Sequence, residues 1–473
     1  MRHTNKCLKT DFTWLLGAAD LLIKNGRLVT ASSVERVSLA TKDGKISWIG
    51  SAASAPPADR VVEAAGLYVL PGVIDVHVHL RDPGLTAKED FGTGTAAAAA
   101  GGVTTVFDMP NNIPPTKSVD ALKVKIRAAE QKAVVDYALY GLLTVGNLND
   151  LRPLAGAGVI GFKCYMGETT GNIAPPSDGE MLDQFKVLSE LGLRTAVHAE
   201  NDSIIQYRIA KLRRAGATSP HAHFESRPGV VEEEAVQRAL LYSRISGNKL
   251  HLAHLSSADG VNEVRLAKKA GQDVTAETCP QYLLLDESYY QKKGVLMKSN
   301  PSIKTRADKA ALWKAIADRT IDMIASDHAP HTLQEKLSGR TIFDDASGFP
   351  GLETSLALML TCVNKELLSL QNLVRLTSEN PAKVWGAFPM KGCVAVGSDA
   401  DLTVVDMKRA WKIDPDTFVS KAKYSPFEDY KAEGRAVYTV VRGLIVMEDG
   451  VVDKTPLGKM VVPEVGGASK RGG

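Results

Sequence analysis

Between about residues 71 and 385 the chain repeats one rhythm, a short β-rich apolar run followed by a helix-length segment. The runs are "VIDVHVHL", "VTTVFDMP", "VDYALYGLL", "GVIGFKCYM", "LRTAVHAE", "KLHLAHLSS", "QDVTAETCP" and "IDMIASDHAP". Stretches such as "SVDALKVKIRAAEQKA", "GEMLDQFKVLSELG" and "ADKAALWKAIADR" lie between them. Strands separated by helices cannot form hairpins, so they pair in parallel. Eight such units suit an α/β fold of the (β/α)8 TIM-barrel type. An open doubly wound sheet is the competing solution. It is disfavoured because polar, ligand-like residues end nearly every run, and no Gly-rich phosphate loop marks a single switch point.

The flanks read differently. "DLLIKNGRLVT", "RVSLATKDGKISWIG" and "RVVEAAGLYVL" precede the repeat, and "VAVGSDADLTVVDM" and "AVYTVVRGLIVMEDGVV" follow it. They are β-rich, with "NG", "DG" and "RG" turns. The expected organisation is a barrel over 71–385 and a small β-sandwich shared between 20–70 and 386–460. Residues 1–19 and 461–473 are expected to be flexible extensions.

Composition narrows the function classes. Net charge is +3 over 473 residues, too small to argue for nucleic acid, and the tail "SKRGG" is too short to change that. No apolar stretch approaches the roughly 20 residues of a membrane span. Five scattered cysteines with no CxxC pair argue against a disulfide framework or zinc module. A soluble, cytoplasmic enzyme acting on a small molecule is the expectation.

In a barrel, the C-terminal strand ends converge on one mouth. Here those ends carry His77 and His79, Lys163, His198, His254 and Asp327. His77 and His79 have the same strand parity and share a face. Imidazole suits zinc, and two divalent ions about 3.5–4 Å apart can share a bridging hydroxide and polarise a carbonyl. An ammonium at Lys163 would repel two dications. A lysine carbamate, formed from the neutral amine and CO2, would be an anionic bridge. One buried histidine is ordinary core; six such residues ending successive strands are not.

These residues carry a resemblance. "PGVIDVHVHL", "GFKCYMG", "VHAEN", "AHLSS" and "SDHAPHT" are similar to the amidohydrolase superfamily, specifically its cyclic amidohydrolases. That group contains dihydroorotases, allantoinases and hydantoinases. The resemblance runs from about Asp20 to Gly450. It implies a binuclear zinc centre, with His77, His79 and Asp327 on one metal and His198 and His254 on the other. Carbamylated Lys163 would bridge them. It further implies Asp327 as the general base and a homo-oligomer, dimer or tetramer.

The substrate positions resemble the dihydroorotase branch. "HLR" puts Arg81 where that branch grips a carboxylate, and allantoinases usually carry asparagine there. "DMPNN" offers Asn111, "DHAPHT" offers His331, and "MKSNP" places Asn300 near the ring. "SGFPGLET" resembles the loop that closes the site. Other features point away. "AETCPQYL" is more hydantoinase-like, "AKYSPFED" resembles allantoinases, and "NPSIKTR" departs from the usual dihydroorotase string. Glu168 stands where hydantoinases of the dihydropyrimidinase type carry tyrosine, which argues against that branch. The expected function is therefore dihydroorotase, with an allantoinase or hydantoinase-like amidase as alternative. A non-catalytic scaffold relative is the remote alternative.

Blander readings accompany each residue. Arg81 could pair with Asp82. Asn111, Asn112 and Asn300 could be turn residues beside proline, and His331 an unpartnered loop residue. Asp82 is expected to be structural. His251, out of register with His254, is expected to face the helix layer, and His328 to point away from Asp327.

Overall fold

The computed structural model describes residues 18–167, 169–171 and 173–464. The first seventeen residues (with Cys7), Glu168 and the end of the C-terminal extension lie outside the described residues, so the flexibility expected of the extensions is not addressed.

All eight strand candidates form. Five strands precede them: β1 (Ala19–Val29), β2 (Val34–Lys42), β3 (Lys45–Gly50), β4 (Ala58–Glu63) and β5 (Tyr68–Pro71). The barrel strands are β6 (Val73–Val78), β7 (Val103–Asp108), β8 (Asp136–Leu143), β9 (Gly161–Tyr165), β10 (Arg194–His198), β11 (Lys249–Leu252), β12 (Val274–Thr278) and β13 (Met323–Ile324). They stand in chain order, each parallel to the next. The ring closes through the residues after the short β13. Ser326 N donates to the Asp75 carboxylate, and His79 N donates to the His328 carbonyl at 2.8 Å.

Helices cover the outside, as the alternation requires. The alanine run forms the helix Phe91–Gly101, capped by Asp90 and ended by Gly102 at φ 89°. That left-handed position suits glycine. Inside the ring, Ile74, Val76, Phe107, Tyr140 and Met323 pack on Trp385 and plug the floor. Between Asp75 and Val78 the pairing of β6 shifts register. Above the shift Val78 packs into the outer core, and His77 and His79 face the mouth.

The flanking segments form a second sheet of nine strands. Its C-terminal members are β14 (Leu402–Lys412), β15 (Lys431–Val441), β16 (Leu444–Glu448) and β17 (Val451–Val452). β14 pairs antiparallel with β5, which joins the two halves as expected. Leu21, Ile23 and Leu39 share one core with Leu402, Val404 and Val440. After β17 the chain returns to the barrel: Val461 N donates to the Tyr137 carbonyl at 2.7 Å, and Glu464 N to the Gly386 carbonyl at 2.8 Å. No helix among the described residues is long and apolar enough to cross a membrane. Cys164, Cys279, Cys362 and Cys393 are free thiols.

Candidate active site

A cavity of about 500 Å³ opens at the C-terminal ends of the barrel strands, and His77, His79, His198, His254 and Asp327 line it. His77 Nε2 and His79 Nε2 lie 3.5 and 3.4 Å from Asp327 Oδ1. One ligand atom from each of the three fits within 4.8 Å. His254 Nε2 faces His198 Nδ1 at 3.0 Å, and the His254 ring centroid is 5.0 Å from that of His77. The two ligand sets therefore meet. Arg81, His254 and Asp327 all have positive φ, at 63°, 37° and 49°. Non-glycine residues seldom adopt this conformation, and it is tolerated where surrounding structure enforces it.

Lys163, in the middle of β9, is fully buried, and among the described residues its Nζ has no hydrogen-bond partner. Burial pushes its pKa down to about 8. His254 Nδ1 is also unpartnered. Buried polar atoms are normally satisfied, so each orphan needs an explanation. Burial lowers His77 to about 4 and holds His79 and His254 well below the ordinary histidine range, with the Lys163 charge adding to the effect. Neutral imidazoles, a carboxylate and an amine that is readily neutralised form a donor set suited to divalent cations.

The carboxylate-binding candidates surround the same cavity. Arg81 does not pair with Asp82, whose carboxylate is taken by Lys132 at 2.7 Å. Its Nε donates to the Pro330 carbonyl at 3.1 Å, Nη2 lies 3.3 Å from His331 Nε2, and Nη1 has no partner. His331 Nδ1 faces Lys88 Nζ at 3.2 Å, and an ammonium can only donate. The His331 proton therefore sits on Nε2, which donates to the Ser347 carbonyl at 3.0 Å. Asn300 lines the cavity; with its amide nitrogen donating to the Ser299 carbonyl, its oxygen accepts from Arg227 Nη2 at 3.2 Å.

Asn111 does something sequence reasoning missed. Its Oδ1 lies 2.7 Å from His79 Nδ1, so it orients that ring, and its Nδ2 donates to Thr169 Oγ1 at 3.4 Å. Glu200 and Glu277 were missed altogether. Glu200 accepts from His198 Nε2 at 3.0 Å and from Arg227 at 2.5 Å. Both glutamates stood in the quoted strings "HAEN" and "AETCP", two residues past His198 and at the end of β12. Only the convergence of strands reveals what they touch.

His251 requires a correction. It does not face the helix layer. Its Nε2 meets Glu277 Oε2 at 3.0 Å inside the barrel, and its ring stacks edge-on against Trp385 at 5.4 Å. β11 ends at Leu252, and the positive φ at His254 breaks the two-residue alternation, so both histidines turn inward. His328 does point away from the cavity. Its Nδ1 accepts from Gly351 N at 3.1 Å, which anchors the "SGFPGLET" loop.

A barrel with convergent imidazoles, a buried lysine and an aspartate at its mouth matches the amidohydrolase family over residues 68–446, and the chain belongs to that family. It falls in the cyclic amidohydrolase group and is a hydrolase of cyclic amides. The solved structure of L-hydantoinase (dihydropyrimidinase) from Arthrobacter aurescens superposes with a TM-score of 0.91 at 38% identity, covering 94% of this chain and 100% of that one. A dihydroorotase of Methanosarcina mazei is 38% identical over 454 residues, 93% of this chain and 97% of the relative. An allantoinase of Solibacter usitatus is 35% identical over 449 residues, 94% and 97% respectively.

Proposed function

We propose that this chain is a dihydroorotase, interconverting L-dihydroorotate and N-carbamoyl-L-aspartate. The observation that carries the reading is Arg81, a buried guanidinium that among the described residues has no acidic partner and a free Nη1. Because the His331 Nε2–H is given to the Ser347 carbonyl, Arg81 Nη2, 3.3 Å from that nitrogen, is left like Nη1 without an acceptor among the described residues. An anionic oxygen would satisfy both, and an uncompensated buried donor pair is costly without one. Dihydroorotate carries a ring carboxylate. Hydantoin, dihydrouracil and allantoin do not.

In this reading His77, His79 and Asp327 would hold one divalent ion, His198 and His254 would hold a second, and Lys163, as its carbamate, would be a further anionic ligand of the centre. Zinc suits this donor set. Such ions supply an attacking water at neutral pH and polarise the ring carbonyl. Burial raises the Asp327 pKa above the usual carboxylate value, which suits a group that takes a proton from water and passes it to the ring nitrogen. Arg81, His331 and the amide nitrogen of Asn111 hold the carboxylate and set the angle of attack. Asn300 addresses the ring. The same branch carries with it a cytoplasmic homo-oligomer, dimer or tetramer.

The test compares kcat/KM for dihydroorotate, allantoin, hydantoin and dihydrouracil in one preparation. Dihydroorotate is expected to lead by at least tenfold. A lead for hydantoin would support the second reading, which the TM-score of 0.91 to L-hydantoinase favours.

A further inference from the structure

Glu277 is one of several buried barrel carboxylates without a role in the proposed reaction. Glu277, on β12, is 1% exposed. Its Oε1 lies 2.5 Å from His77 Nδ1 and 3.2 Å from the backbone N–H of His254. Its Oε2 lies 3.0 Å from His251 Nε2. The His254 N–H can only donate, which makes Oε1 an acceptor, and a carboxylate oxygen 2.5 Å from a ring nitrogen is held through that nitrogen's proton.

That condition decides the state of His77. Its proton must sit on Nδ1, leaving the Nε2 lone pair pointing at Asp327. The other oxygen is held by His251, which is itself wedged between the Trp385 ring and Thr275 Oγ1 at 2.9 Å. The same carboxylate that orients His77 on β6 also fixes the main chain at His254, which follows β11. It therefore spans both proposed ligand sets from beneath.

We infer that Glu277 is a positioning residue: it selects the His77 tautomer and holds His77 and His254 at a common spacing, braced from the barrel floor by His251. This rests on the proposal that His77 and His254 are metal ligands. A buried carboxylate serving only to tie strands together would affect stability and leave the tautomer and metal affinity alone.

The test uses the full chain. In metal-free protein labelled with ¹⁵N-histidine, the His77 signal, assigned by its loss in His77→Asn, should report a protonated Nδ1. A proton on Nε2 instead overturns the inference. In Glu277→Gln the amide has only one acceptor atom and cannot serve both rings, so His77 should show the other tautomer or a mixture. Zinc affinity, measured by chelator competition, should weaken on the order of 10–100-fold. Wild-type zinc affinity in Glu277→Gln, alongside a lowered melting temperature, would leave only the strand-tying role. The tautomer measurement needs no metal. Failure of wild-type protein to take up any divalent ion would count against the metal reading while the tautomer still decides the role of Glu277.

Discussion

Among the described residues there are two clusters of three potential ligand groups, each with a buried lysine. At the mouth, His77, His79 and Asp327 gather near Lys163. At the other cluster, Asp136, Asp399 and Asp401 gather where the barrel meets the terminal sheet. There Lys391 reaches Asp136 at 2.7 Å, Asp399 at 3.1 Å and Asp401 at 2.5 Å, and Arg442 also pairs with Asp136. Lys45 pairs with Asp399 at 2.6 Å, so three cations face three carboxylates, and every oxygen has a donor. Lys163, by contrast, satisfies nothing. A cluster of ligand-type atoms is therefore weak evidence of a site. A cluster whose buried cation has no partner is strong evidence, because folding leaves that cost in place only where something else uses the group.

Breaking the mouth should cost activity. Asp327→Asn retains volume but removes the base, and kcat should fall on the order of 10²–10⁴-fold. Near-wild-type turnover would remove Asp327 from the chemistry. Breaking the second cluster should cost stability instead. Lys391→Met leaves three aspartates buried together, and denaturant unfolding should show a loss of about 3–5 kcal/mol. Lys163→Met makes the contrast sharp: it deletes an unpaired buried ammonium, so metal-free protein should gain about 1–3 kcal/mol while metal binding is lost. Equal destabilisation by both lysine substitutions would erase the distinction.

Two smaller effects refine the mouth itself. Arg81→Met should lower kcat/KM for dihydroorotate by roughly 10–100-fold, the loss of a charge-assisted hydrogen bond, and change dihydrouracil much less. Equal losses on both would remove the carboxylate role. The last concerns pH. Burial lowers the Lys163 pKa to about 8, so its amine is neutral above that value and protonated below it. Only the neutral amine takes up CO2. Restoration of zinc uptake in protein stripped of CO2, measured at one fixed concentration of dissolved CO2, should slow roughly tenfold per pH unit below 8. A rate unchanged between pH 6 and 8 would disconnect Lys163 from metal loading.

Much of this was legible beforehand because barrel architecture converts a local signal into a global one. The residue that ends an apolar run is visible in the string, and the fold carries all such residues to one mouth. His77, His79, His198, His254 and Asp327 were found this way, as was the lysine in "GFKCYM". Period-two alternation failed wherever the backbone left the regular strand. The register shift in β6 and the positive φ at His254 each redirected a side chain, and His251 was misread for that reason. The contact of Asn111 with His79 went unread because the two are 32 residues apart.

The chain's own order of residues determined the eight βα units, the flanking β-segments and which residue types stand at the strand ends, because hydrophobic periodicity and turn chemistry act over a few residues. Tertiary structure alone decided which groups are paired. Asp82 went to Lys132 and left Arg81 free; Lys391 was compensated and Lys163 was not; Glu277 met His77 from 200 residues away. Those outcomes depend on which strands lie side by side around a closed ring and on the cost of burying charge there. Neither is a property of any short stretch of sequence.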